Sequence, residues 1–384
     1  MFAQSADQQL FEQVTAGFLD KHYPLGHGRE LAGQESAFEP GRWREAAALG
    51  WTTLLVPEEA GGGSISGNGL ADLLIVASAF GQRAAPGPLS GTNIVAATLG
   101  RWGSPQQRQG PLAELLAGDA AGAWAHATAD GPFGHDRHLL AAAPSGDGKV
   151  VLTGTAGIVE GAADAKYLLV AASGAEGGAA RTHYLVPMDA AGVRVEPRQS
   201  LDLARRLADV WLRDVALPAS ARVGEPGAAS ADDGWLSDVL AALLLGEIAG
   251  AVNQAFAITQ RWVADRYSFG RPLSSYQEVK HRMADMRTDA EAIEAVAARA
   301  ARAVGTGAAD ARSWVYAGLA FAGQRAPELV QDCIQLHGGI GVTYEHDLHL
   351  LLRRVAMDTR LYGTPGGFAQ RLGALVVATD GGAS

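Results

Sequence analysis

Apolar positions recur along the chain with two different periods. Near the start, Leu10, Val14 and Phe18 stand four residues apart, which predicts a helix with those side chains turned inward. Helical patterning continues to about residue 119. Glycine-rich turns interrupt it, most clearly Gly61-Gly62-Gly63-Ser64-Ile65-Ser66-Gly67. Helical patterns flank that stretch closely, so a structured loop is expected at least as much as a low-complexity linker. Between residues 120 and 228 the period shortens. Apolar runs at 149–152, 167–171, 183–186, 193–195 and 210–217 alternate with turn signals such as Ala175-Glu176-Gly177-Gly178. That spacing suggests an antiparallel sheet, sandwich or small barrel.

From about residue 229 long helical runs return. Asp232 and Asp233 are expected to cap a helix reaching about Arg266, unusually long for a globular protein. Further helices are expected over 275–303, 310–337 and 368–378. Long helices joined by short loops argue for a bundle. The expected fold is α+β in three domains: a helical domain at 1–119, a middle β domain (barrel or sandwich) at 120–228, and a C-terminal helical bundle at 229–384. No internal repeat is visible.

Composition narrows the function classes. The chain has 384 residues, 48% hydrophobic and 19% charged, which supports a large core and excludes global disorder. Its 31 Lys+Arg against 41 Asp+Glu give net −10, with no basic run, which argues against a general nucleic-acid binder. A single cysteine, Cys333, excludes an intramolecular disulfide framework and a cysteine-ligated zinc site, and fits a reducing compartment. The first residues carry acid and glutamine rather than a basic segment before an apolar one, so no signal peptide is expected. The strongly apolar stretch 239–246 is far shorter than the ~20 residues that span a bilayer. A cytoplasmic protein without a membrane span is expected.

Motif searching first excludes. The chain has no Gly-x-Ser-x-Gly elbow, no Walker loop and no Gly-x-Gly-x-x-Gly after a strand. Gly338-Gly339-Ile340-Gly341 lacks that spacing and reads, alone, as a helix C-cap and turn. His346 and His349, beside Glu345 and Asp347, have metal-ligand spacing on a helix, but no third ligand cluster accompanies them, so no metal is expected. Arg353-Arg354 could grip a phosphate or carboxylate, with a solvated helix face as the default.

Two segments are far more specific together than apart. The first runs from Arg266-Tyr267-Ser268-Phe269-Gly270 through Gln277 and His281 to Met286. The second is Gln335-Leu336-His337-Gly338-Gly339-Ile340-Gly341 through Glu345, followed by Arg353. Both resemble the C-terminal signatures of the acyl-CoA dehydrogenase family. Gly50-Trp51 through Pro57-Glu58 resembles its N-terminal loop, and Asp214 to Pro218 with Val223-Gly224 resembles the exit from its middle domain. The resemblance covers nearly the whole chain. It implies an N-terminal helical domain, a middle β domain and a C-terminal four-helix bundle, with FAD as cofactor and usually a tetramer built as a dimer of dimers. It also implies that Arg266, Phe269, Gln277 and Gln335 hold the pyrophosphate and adenosine end of FAD, and that Gly338 and Gly339 let the backbone approach it. In the family these groups serve the flavin of the neighbouring subunit. Arg supplies fixed charge, Phe a flat apolar face, and Gly removes an obstructing Cβ.

The family's reaction removes a proton from Cα of an acyl thioester and a hydride from Cβ. It needs a placed base, usually a carboxylate whose pKa burial raises. Here the pattern departs. The usual Glu of a Tyr-Glu-Gly-Thr segment is matched by Tyr362, in Leu361-Tyr362-Gly363-Thr364. The alternative position, near the start of the long helix, is Leu240. Glu247, seven residues further along the same face, is the best remaining candidate base. Its alternative role is an ion pair to an arginine on a neighbouring bundle helix, while Asp238 is a weaker candidate facing elsewhere. Ring-side residues are altered too. The family's Trp-Ile-Thr is matched by Ile158-Val159-Glu160, and a Thr-Glu-Pro-like segment by Ala127-Thr128-Ala129-Asp130. The resemblance thus implies an acyl-CoA substrate, bulky or branched and including steroid side-chain thioesters, with an electron-transfer flavoprotein as acceptor. A specific alternative is half of an α2β2 hetero-oligomer whose catalytic carboxylate lies on the other chain; an interaction protein on the same scaffold and oxidase chemistry are further readings.

Overall fold

The structure is a computed structural model that describes residues 4–34, 36–125, 140–145, 148–174 and 180–381. The segments 127–130 and 175–178 singled out above lie outside the described residues.

Four main helices open the chain: α1 (Ala6–His22), α2 (Pro40–Ala48), α3 (Gly69–Arg83) and α4 (Leu89–Trp102). A capping box starts α1, Ser5 and Gln8 each satisfying the other's backbone N–H. The buried face of α1 differs from the predicted one. Leu10 and Val14 are 61% and 42% exposed, while Thr15 and Leu19 are buried and Phe11 and Phe18 pack on the core. Phe11, Thr15, Phe18 and Leu19 make the i, i+4, i+7, i+8 stripe, and the Phe18 ring meets Trp51 edge-on at 5.2 Å. Larger aromatic area decides the face over the simpler spacing of Leu10 and Val14. The glycine-rich loop before α3 is structured. Buried Asp72 accepts hydrogen bonds from Ile65 N–H (2.7 Å), Ser66 N–H (2.9 Å), Ser66 Oγ (2.8 Å) and Gln8 Nε2 (2.7 Å).

Among the described residues, eight strands form the middle sheet: β1 (Gly122–Trp124), β2 (Leu140–Pro144), β3 (Lys149–Glu160), β4 (Tyr167–Gly174), β5 (Arg181–Pro187), β6 (Val193–Arg198), β7 (Leu207–Pro218) and β8 (Arg222–Val223). Their order is β6-β7-β3-β2-β4-β5-β8, with β1 beside β4. The sheet is mixed rather than antiparallel throughout, because β1 and β2 both pair with β4 in parallel. The β3–β7 register shifts between Ala156 and Val159. At this bulge Ile158 takes φ 56°, a conformation that a β-branched residue enters only under constraint. Its N–H donates to Asp209 Oδ1 at 3.2 Å.

The C-terminal part holds α5 (Ala229–Asp265), a short hairpin of β9 (Tyr267–Ser268) and β10 (Arg271–Pro272), then α6 (Gln277–Gly305), α7 (Ala311–His337), α8 (Leu348–Asp358) and α9 (Pro365–Gly381). Helix α5 starts before the expected caps, so Asp232 and Asp233 sit inside its first turns. Asp233 instead faces the sheet, 2.8 Å from His183 Nε2 and 3.0 Å from Arg181. Residues 232–265 are long and apolar enough to cross a membrane, but 83% of the most apolar window is buried in protein, as in a core helix. Helix α7 continues through Pro327, its packing against α5, α6 and α9 outweighing the intrinsic cost of about 3 kcal/mol. Helix α8, not anticipated from the pattern, buries Leu348, Leu350, Leu351 and Val355. Helices α3 and α5 cross at backbone contact: a Cβ on Gly81 would overlap the Glu247 carbonyl, and one on Gly250 the Ser78 carbonyl.

Candidate active site

The sheet edge, α5 and α8 converge on a buried ionic cluster. Arg205, from the segment between β6 and β7, is 4% exposed. It donates to Glu160 at the end of β3, from Nη2 to Glu247 of α5 at 2.7 Å, and from Nη2 to Asp358 of α8 at 2.8 Å. Arg354, one turn before Asp358 on α8, donates to Asp202, to Glu247 Oε2 at 2.8 Å and to the Ala85 carbonyl at 2.9 Å. Four carboxylates therefore share two guanidinium groups away from water.

This charge imbalance sets the protonation. Burial pushes Glu160 up, and Asp358 well above the usual carboxylate range, despite the nearby arginines. Burial also acts on Asp202, but Arg354 and Arg205 outweigh it and hold that carboxyl below its ordinary value. Arg205 is raised because four carboxylates more than offset its own desolvation. Glu160 and Asp358 thus release their protons at higher pH in the folded chain than in the unfolded chain, where release is complete above about pH 4–5. Bound protons are then more numerous in the folded state, so stability falls as pH rises from there through the folded values. Asp358→Asn is expected to flatten that dependence, read as urea midpoints at pH 5, 6.5 and 8; an unchanged slope would contradict it. Asp202 acts in the opposite sense, but only below about pH 4.

The structure brings Glu247 into this cluster as an ion-paired group. Its Oε2 accepts from two arginines, one on a neighbouring bundle helix, which corresponds to the ion-pair alternative rather than an unpaired base. It lines a cavity of only about 30 Å³ with Pro88, Leu89 and Glu160. The default of a solvated face fails for Arg354, which grips carboxylates in the interior; Arg353 is half-buried and donates to the Leu201 carbonyl at 3.1 Å.

A larger cavity, about 190 Å³, lies between α5, α7 and α9. Leu240 and Tyr362, the two positions matched to the family's base, both line it, and so does Asp358. Tyr362 is partly buried and its phenol is pushed far above the ordinary value by desolvation, so it holds its proton. Asp238 lies at the same cavity, paired with Arg312 at 3.0 Å.

On the opposite side of the bundle, Arg266, Phe269, Gln277, Gln335, Gly338 and Gly339 are all exposed. Trp262 joins their two segments. Its ring stacks on His337 at 5.0 Å, its Nε1–H donates to the Leu336 carbonyl at 3.2 Å, and Arg266 lies over it at 5.7 Å. Phe269 is 98% exposed at φ 49°. Gly338 ends α7 at φ 66°, as the C-cap reading expects, and nothing lies within 4 Å of a Cβ built on Gly338 or Gly339. His346 packs edge-on against His337, and His349 Nε2 lies 2.9 Å from the Tyr344 carbonyl.

Sequence reading missed Arg205, Asp202 and Asp358. The available signals were charged residues inside apolar surroundings, as in Leu203 to Val210, and the four-residue spacing of Arg354 and Asp358.

Helices flank a mixed sheet, with an ionic cluster beside a cavity and an exposed surface at the far ends of α5 and α7. Family models for the acyl-CoA dehydrogenase N-terminal and C-terminal domains match residues 5–119 and 239–371. The chain belongs to the acyl-CoA dehydrogenase family. It is 28% identical over 377 residues to acyl-CoA dehydrogenase IpdE2 of Mycolicibacterium smegmatis, covering 97% of this chain and 99% of that one. Among solved structures it is similar to the ChsE4–ChsE5 complex of Mycobacterium tuberculosis (TM-score 0.84, 25% identity, 98% and 99% covered). It is also similar to a variant of the Tcur3481–Tcur3483 steroid acyl-CoA dehydrogenase (TM-score 0.82, 27% identity, 98% and 99% covered).

Proposed function

We propose that this chain is a subunit of an FAD-dependent acyl-CoA dehydrogenase that forms the α,β double bond of a bulky acyl-CoA thioester. The observation that carries this reading is the cavity at which Leu240, Tyr362 and Asp358 meet, on the face where the family's pattern sets its base. FAD, when bound, would supply the hydride acceptor for Cβ, with an electron-transfer flavoprotein as the expected electron acceptor. Arg266, Gln277 and Gln335 would hold the pyrophosphate and adenosine end of FAD, with Phe269 as a flat wall and Gly338 and Gly339 giving access. Their outward exposure suits a flavin shared across a subunit interface. The steroid dehydrogenase likeness supports a bulky, apolar acyl group.

A second reading, the half-site subunit, is favoured by the ring side. Arg205 fills the space beside Glu160, and two similar structures contain paired chains. In that arrangement the exposed adenosine-side residues complete a partner's flavin site, within an α2β2 assembly. The test is the flavin-to-polypeptide ratio of the chain purified alone, followed by anaerobic mixing with an acyl-CoA. A ratio near one, with flavin bleaching and loss of two hydrogens from the thioester, is the expected result for a self-sufficient enzyme. A ratio near zero in folded protein, restored by a co-expressed homologous chain, selects the half-site reading. Flavin absent under both conditions would remove the dehydrogenase assignment.

A further inference from the structure

The cavity between α5, α7 and α9 has a charged rim and a closed apolar end. At the rim, near the starts of α5 and α7, Asp238 accepts from Arg312 Nε at 3.2 Å and from Arg312 Nη2 at 3.0 Å, and Arg312 is exposed. Leu240, Leu244, Val315, Leu319 and Phe368 line the inner end, none of them more than 7% exposed. Close backbone approach fixes these walls. A Cβ on Gly318 would come within 2.7 Å of Leu245 Cδ1, one on Gly323 within 2.6 Å of Pro365 Cγ, and one on Gly363 would overlap the Phe368 ring. Bare glycines thus seat α5 against α7, α7 against α9, and Phe368 against the loop before α9. Interiors packed in this way have low compressibility, so the cavity does not widen freely.

We propose that this cavity limits the substrate's acyl group to a neutral, apolar group about the size of one ring, with Leu319 and Phe368 forming the stop. The inference rests on the dehydrogenase reading and narrows its bulky acyl group to a compact one. Volume carries the argument. The cavity is about 190 Å³. An apolar cavity of about 150 Å³ holds one benzene molecule. A substituted single ring or a short branched chain therefore fits, and a fused four-ring nucleus does not. The excess has no other place to go. Across α5, beside Glu247, the space is only about 30 Å³ and is closed by Arg205 and Arg354. Charge at the acyl terminus is selected against as well. The five side chains at the inner end offer no hydrogen-bond partner, so a carboxylate there would be buried unpaired. Asp238 and Arg312 are spent on each other at the rim.

The test uses the flavin-loaded protein, with its partner chain if loading requires one, and substitutions in this chain alone. The probes are S-alkyl-CoA thioethers, which lack the acidic Cα–H and are not turned over. Calorimetry compares S-butyl-CoA, S-(3-cyclohexylpropyl)-CoA and a thioether whose alkyl chain carries an intact steroid nucleus. The cyclohexyl probe is expected to bind most tightly, at least about tenfold tighter than the steroid probe. Ala241, half-buried on α5, also lines the cavity. Ala241→Phe is expected to weaken the cyclohexyl probe by about tenfold or more and S-butyl-CoA by less. Phe368→Ala removes the stop and is expected to bring the steroid probe within about threefold of the cyclohexyl probe. If either variant does not fold, Phe368→Leu decides, with a smaller shift in the same direction as Phe368→Ala. A steroid probe that binds wild type as tightly as the cyclohexyl probe overturns the size limit. Unchanged affinity of Ala241→Phe for all three probes overturns it too, because the acyl group then lies elsewhere. Protein that binds none of the probes overturns the acyl-CoA reading itself, and the limit with it.

Discussion

Arg205→Met is expected to lower folding stability by about 3–5 kcal/mol, because it strips the shared cation from three buried carboxylates. Arg205 is the one group that bonds Glu160, Glu247 and Asp358 together. Methionine fills similar volume, so the packing loss is small and the electrostatic loss dominates. Some carboxylates will respond by taking up protons, which softens the loss in acid. The deficit should therefore widen as pH rises: the folded variant holds extra protons, and the unfolded chain releases them above about pH 4. Arg205→Lys should not rescue it, since one ammonium lacks the planar fork that reaches three carboxylates. Urea unfolding at pH 5.5 and 8 measures both effects. A variant within about 1 kcal/mol of wild type at pH 8 would mean that the cluster contributes little and that water reaches it.

Local patterning carried the architecture and failed where tertiary partners decide. Helices over 275–303 and 310–337 were legible because their apolar period is long and consistent; α6 and α7 span Gln277–Gly305 and Ala311–His337. The start of α5 was misplaced because Asp232 and Asp233 look like caps, and only the sheet reveals that Asp233 is spent on His183 and Arg181. On α1, spacing selected Leu10, Val14 and Phe18; Phe18 packs against Trp51, while Leu10 and Val14 are exposed and Phe11, Thr15 and Leu19 complete the inner face. The parallel pairing of β1 and β2 with β4 has no local signal at all, since register comes from chain segments far apart. At the site, the family resemblance singled out Leu240 on α5 and Tyr362 in the loop before α9, and helix spacing added Glu247. It could not show that Arg205, 42 residues from Glu247 and 153 from Asp358, closes the cluster. Ion pairs of that separation become visible only when sheet and bundle are docked.

The cluster's geometry depends in turn on a contact made without side chains. At the crossing of α3 and α5, Gly81 faces the backbone of Glu247, and Gly250 faces that of Ser78. These two glycines let the helices approach until main chain meets main chain, and the approach sets the depth at which Glu247 enters the site. Gly81→Ala is expected to cost about 3 kcal/mol, at the upper end of overpacking effects. The new methyl would overlap a carbonyl, not the end of a flexible side chain, so α3 and α5 must separate. That separation strains a face on which Leu73, Val76, Ala77 and Phe80 are all buried. It also draws Glu247 away from Arg205 and Arg354, so the cost should include part of the ionic cluster. Gly17→Ala provides the opposite case. Gly17 lies in α1 with nothing within 4 Å of the added methyl, and the change should stabilise by about 0.5–1 kcal/mol through helix propensity alone. Denaturant unfolding of both variants, with Gly81→Ala combined with Glu247→Gln, separates the two contributions. If the crossing transmits strain to the cluster, the double variant loses less than the sum of the singles. A Gly81→Ala midpoint equal to wild type would show that the helices part freely and that Glu247 is held by its arginines alone.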